Sequence, residues 1–161
     1  NRTMSILAII IALVVLGMLV YPILQIIPSE AQKRQVAFRQ AATRHGLHIQ
    51  VRHPVLPSGL EQRYPDIIRC TGYSKPCTSR LAQAFVALRS QAGDWLWIND
   101  SQPPSAMLAT LQAAYKNLPP YCLAIEQSGA GTTLFLIDSR PVEDLPALAK
   151  ALDTLNRLIA E

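Results

Sequence analysis

With 161 residues, the chain has room for one ordinary domain, and half of its residues are hydrophobic against 16% charged, a balance that excludes a disordered chain. The net charge of +4 is unevenly placed: from Pro28 to Arg89 ten Lys and Arg stand against three Asp and Glu, and from Ser90 to Glu161 four stand against eight. The basic half carries no nucleic-acid motif and little interleaving of aromatic residues with its charges, so nucleic acid is not an expected partner.

From Met4 to Ile27 no residue is charged. At 1.5 Å per residue this stretch makes a helix of about 36 Å, enough to cross a hydrocarbon core of about 30 Å with some tilt. Ser29-Glu30-Ala31 has small residues at the spacing a signal peptidase reads, but the apolar stretch is longer than that of a cleaved signal, and a retained single-pass anchor over residues 1–28 is expected. Within it, Ser5, Ala8 and Ala12 form a small-residue stripe that allows close approach of another membrane helix. Pro22 cannot donate to Met18, and Gln25 carries an amide that prefers a partner to hydrocarbon. These four positions, Ser5, Ala8, Ala12 and Gln25, are the expected contacts with an integral membrane protein complex.

Next comes a basic juxtamembrane helix over residues 29–46. Ser29 and Gln32 have the spacing of a capping box, and Gly46 is a C-terminal stop. Its apolar face is thin, limited to Val36, Phe38 and alanines, while Lys33, Arg34, Arg39 and Arg44 are placed to meet anionic lipid headgroups; the alternative is a helix tucked under its own domain. The same four cations, against Arg2 alone on the other side, put the C-terminal domain in the cytoplasm of a bacterial inner-membrane protein, with the periplasm as the alternative. Cys70, Cys77 and Cys122 are odd in number. In a reducing compartment they are buried thiols, and outside it Cys70 and Cys77 have the spacing to close a small loop.

Residues 47–161 are expected to fold as an α+β domain with a mostly antiparallel sheet and, counting the basic helix, about three helices. Leu47 to His53 alternates as a half-buried strand, and Asp66 to Thr71 is a second strand before a turn cluster over Gly72 to Thr78. Ala84 to Ser90 and Trp95 to Asn99 flank Gln91-Ala92-Gly93-Asp94 as a hairpin. A helix opens at Pro103-Pro104-Ser105 and closes at Pro119-Pro120, with Met107, Leu108, Leu111, Ala114, Tyr115 and Leu118 at helical spacing. Tyr121 to Glu126 and Thr132 to Asp138 flank Ser128-Gly129-Ala130-Gly131 as a second hairpin. From Pro141 a last helix carries Leu145, Leu148, Leu152, Leu155 and Ile159 as an apolar stripe, with Pro146 tolerated in its first turn.

No constellation at usable spacing points to catalysis. His45, His48 and His53 with Cys70 and Cys77 are the raw material of a zinc site, but His48 and His53 fall on opposite faces of the first strand. The glycine-rich Ser128 to Gly131 lies between strands, where no helix N-terminus offers amides to a phosphate, and Asp138, Glu143 and Asp144 suit the dipole at a helix start. No metal, cofactor or catalytic residue is expected. Trp95 and Trp97 project from one face of their strand, either to cap the core beneath a helix or to form a recognition face. The expected role is a non-catalytic accessory or assembly subunit of a larger inner-membrane complex. The alternatives are an extracytoplasmic envelope protein of secretion or cell division, and a membrane-tethered enzyme without a readable motif.

Overall fold

The computed structural model describes residues 2–98 and 100–160, and the chain divides into two compact units, residues 1–33 and 34–161. The first holds α1 (Arg2–Ile26), which continues through Pro22. Its apolar side chains point outward on every side. An 18-residue window within it has a mean hydropathy of 2.9, so the helix is long and apolar enough to cross a membrane. The start of α2 (Glu30–Arg44) is set by a reciprocal capping box: the Ser29 N–H donates to Gln32 Oε1 at 2.9 Å and the Gln32 N–H donates to Ser29 Oγ at 3.2 Å.

The end of α2 is equally local in origin. Gly46 takes a φ of +75°, the Leu47 N–H reaches back to the Ala42 carbonyl, and the Gly46 N–H reaches the Thr43 carbonyl, which together make a Schellman stop. Phe38 and Ala42 on this helix are fully buried among the domain's side chains, so α2 lies against its own domain along that face, while Val36 remains 53% exposed. Burying a Phe of this kind contributes about 1.5–3 kcal/mol.

The second unit is built on a six-stranded antiparallel sheet in the order β1-β2-β6-β5-β3-β4, formed by His48–Gln50, Thr71–Pro76, Phe85–Arg89, Trp95–Ile98, Cys122–Ser128 and Gly131–Leu136 as β1 to β6 in chain order. The fold class is therefore α+β, and the expected order of one helix, four strands, a helix, a hairpin and a helix is interrupted by short helical turns between the first and second strands. The C-terminal hairpin β5–β6 inserts between β2 and β3, so the middle of the sheet comes from the end of the chain. One sheet face packs under α2, α4 (Ser105–Lys116) and α5 (Leu145–Ala160), around Tyr73, Tyr115, Leu134 and Leu152. The other face, with Leu88, Ala124 and Phe135, lies under the segment that carries the one-turn helix α3 (Leu60–Arg63) and a 3₁₀ turn at Pro65–Arg69.

Three local expectations are corrected. The strand expected at Asp66 to Thr71 is that 3₁₀ turn, because Pro65 presets the first helical φ and Cys70 is the first extended residue after it. The turn cluster expected at Gly72 to Thr78 is instead the strand β2. Gly72 belongs there because a Cβ would come within 2.9 Å of Thr133 Cγ2 and 3.1 Å of Phe135 Cε1. Pro76 is tolerated because β1 pairs with β2 only as far as Ser74, so its missing N–H has no strand to face. The first strand is shorter than Leu47 to His53: the Arg52 N–H folds back to the Gln50 carbonyl, and Val51 is left 78% exposed. Asn99, at the end of the expected fourth strand, lies outside the described residues.

Candidate functional site

The expected contact residues on α1, Ser5, Ala8, Ala12 and Gln25, are exposed along the helix. The four juxtamembrane cations separate into different environments. Lys33 pairs with Glu30 at 2.8 Å, and Arg34 and Arg44 are exposed. Arg39 turns inward, its Nε donating to Asp138 Oδ2 at 2.5 Å, so it is engaged with the domain.

Asp138 is the hub of this contact, with its side chain only 4% exposed. It accepts from Gln35 Nε2 at 2.7 Å, from Arg39 and from the Tyr73 hydroxyl at 3.3 Å, while Arg39 Nη2 also donates to Thr71 Oγ1 at 3.3 Å. A carboxylate this enclosed requires such partners. Burial works against the Arg39 charge, but the hydrogen bond and charge of Asp138 outweigh it and raise the Arg39 pKa. Asp138 thus serves α2 and the sheet rather than a helix dipole, whereas Asp144 accepts from Arg140 Nε at 3.1 Å.

Trp95 and Trp97 are half-buried against the core beneath α4. Trp97 meets Phe85 edge-on with ring centroids 5.6 Å apart, Trp95 lies 5.5 Å from the Tyr115 ring, and Trp95 Nε1 donates to the Tyr115 carbonyl at 3.1 Å. They cap the core, and the residue between them, Leu96, faces the other way at 46% exposure. The histidines and cysteines weighed as zinc ligands stand apart: His48 is exposed on β1, His53 Nδ1 lies 3.1 Å from the Pro54 carbonyl, and Cys70 and Cys77 stand at opposite ends of β2. Among the described residues, no three of His, Cys, Asp and Glu gather as a metal site. The extended strand separates Cys70 from Cys77 by roughly 20 Å, far beyond the reach of a disulfide; all three cysteines are free thiols.

A cleft not foreseen from the sequence opens on the side of the domain where α3 and the 3₁₀ turn meet the outer end of β3 and the end of α4. It encloses about 610 Å³ and is lined by Arg63, Asp66, Arg89 and Lys116 together with apolar side chains including Ile67 and Leu123. It adjoins a second depression of about 480 Å³ that shares Arg63, Tyr64, Ser90 and Gln91. Arg89 is held in place by Nη1 donating to the Pro119 carbonyl at 2.8 Å, Nη2 donating to the Leu118 carbonyl at 3.3 Å, and its guanidinium stacked 4.8 Å from the Trp95 ring centroid. Its Nε is buried without an acceptor. These cations come from positions far apart in the chain, so no local pattern announces them. No family model, curated protein or solved structure matches this chain.

Proposed function

We propose that this protein is a non-catalytic accessory or assembly subunit of a larger inner-membrane complex, held in the bilayer by α1 and presenting its α+β domain on the cytoplasmic side. The observation that carries this reading is α1 itself: a helix uncharged from Met4 onward with a Ser5, Ala8, Ala12 stripe and the amide of Gln25, features suited to packing on another membrane helix. The excess of Lys33, Arg34, Arg39 and Arg44 over Arg2 favours a cytoplasmic domain. Three free thiols, two of them buried and none able to bridge Cys70 to Cys77, suit a reducing compartment. Exposed Arg34 and Arg44 remain available to anionic headgroups.

The test is co-purification of the full chain in mild detergent, comparing wild type with the double substitution Ala8→Leu and Ala12→Leu. The substitution blocks close approach of helix backbones without lowering hydrophobicity, so membrane insertion should be unchanged while companion recovery falls by about tenfold, equivalent to about 1.4 kcal/mol. Unchanged recovery, or full function with an unrelated anchor, reduces α1 to a tether and ends this reading.

A further inference from the structure

We propose that the cationic cleft between the 3₁₀ turn at Pro65–Arg69 and the outer end of β3 is a docking groove for an extended acidic segment of a partner protein, its carboxylates taken by Arg63, Arg89 and Lys116. This deepens the reading of the domain as a docking module and rests on it.

Charge comes first. Three cations line the cleft against one carboxylate, Asp66. Neither Arg63 nor Lys116 makes an ion pair among the described residues, although Asp94 lines a neighbouring depression with Lys116. Arg89 is oriented by two carbonyls and the Trp95 ring, and with Nε buried, two hydrogen bonds leave one N–H uncommitted on each of Nη1 and Nη2. A guanidinium held this way binds carboxylate without first losing rotamer freedom.

Shape and composition select the occupant. The cleft runs on into the adjoining depression through Arg63 and Tyr64, so the groove is elongated, and Ile67 and Leu123 give it apolar floor between the charges. That pattern fits alternating acidic and apolar side chains. Arg and Lys also take phosphate, but a free phosphate would leave the apolar Ile67 and Leu123 uncovered, so a segment carrying both acidic and apolar side chains is the better fit.

The test uses the full chain in phosphatidylcholine nanodiscs and a fluorescein-labelled hexapeptide alternating Glu with Leu, followed by anisotropy. Saturable binding that weakens with salt is expected, with none for the Gln-for-Glu peptide. Arg63→Gln with Lys116→Gln should weaken binding by about tenfold, or about 1.4 kcal/mol, while the charge-matched pair Lys150→Gln with Arg157→Gln leaves it intact. Both pairs change exposed side chains, so folding is preserved and an unchanged unfolding midpoint checks it. Equal binding of the Gln peptide, or indifference to the Arg63 and Lys116 substitutions, overturns the proposal. So does displacement of the peptide by inorganic phosphate or phosphatidylserine vesicles with the same Arg63 and Lys116 dependence, which would reassign the cleft to phosphate or headgroups. The α1 substitutions do not touch the cleft, so failure here leaves the membrane-packing test standing, and the reverse holds.

Discussion

Cys70, Cys77 and Cys122 have the same side chain and three different fates. Cys122 is fully buried, and burial pushes its thiol up to about 12, with the charges of Arg89 and Arg140 pulling the other way. Cys70 is also raised to about 12, mainly by burial and then by the negative charges of Asp66 and Asp138. Since the thiolate is the reactive form, both are protected twice, by access and by ionisation. Cys77 is partly exposed, at the end of β2. Native protein at neutral pH should therefore take up one equivalent of a maleimide, at Cys77, and three after denaturation; peptide mapping that finds Cys70 or Cys122 modified without denaturant would contradict this. The result also makes Cys77 a reporter of sidedness. With the domain in the cytoplasm, an impermeant maleimide labels it only after the cells are opened.

At the scale of elements, the attachment of α2 concentrates on Asp138. Replacing Asp138 by Ala removes the acceptor shared by Gln35, Arg39 and Tyr73. Arg39 is 32% exposed and can turn to water, so the expected loss is about 1–3 kcal/mol rather than that of a fully buried charge. Hydrogen exchange should rise over Phe38 to Arg44 while the β5–β6 hairpin keeps its protection, and equal exchange in the two proteins would show that Phe38 and Ala42 hold the helix without the hub. Much of this architecture was legible because it is local: the Ser29 box, the Gly46 stop, the Ser128 to Gly131 turn and the leucine stripe of α5 are decided within a few residues. What was not legible depends on partners distant in the chain. Gly72 and Pro76 look like turn residues until Thr133 and Phe135 are placed beside the first and the short reach of β1 beside the second. The Arg39 to Asp138 pair spans most of the domain's length, and the cleft gathers Arg63, Arg89 and Lys116 from three separate elements.

For the whole molecule, these buried groups combine into a stability that depends on alkaline pH. Burial raises the tyrosines as well as the thiols: Tyr115, whose hydroxyl donates to Gln127, and Tyr73, beside Asp138, both titrate well above the ordinary value of 10.0. The thiols start from 9.0. In the unfolded chain each group loses its proton near its ordinary value, whereas in the folded domain it keeps it. Between those two values the folded state binds more protons, so stability must fall as pH rises. Below about pH 8 all four groups are protonated in both states and contribute no pH dependence; above it the thiols and then the tyrosines each begin to remove up to about 1.4 kcal/mol per pH unit. Arg39 adds nothing in this window, because its own raised value keeps it charged in the folded state and an arginine is charged in the unfolded chain there as well. Trp95 and Trp97 both sit in the sheet domain, so their fluorescence follows its unfolding without interference from α1. The urea midpoint should stay level from pH 7 to about pH 8 as far as these groups determine it, then decline with a slope that steepens toward pH 10 as the tyrosines join the thiols. Replacing Cys122 by Ala removes one of the titrating groups and should lessen the decline that begins near pH 8, even though the cavity lowers the midpoint at every pH. A midpoint that holds level to pH 11 would mean that these side chains ionise within the folded domain, and that its core is open to water.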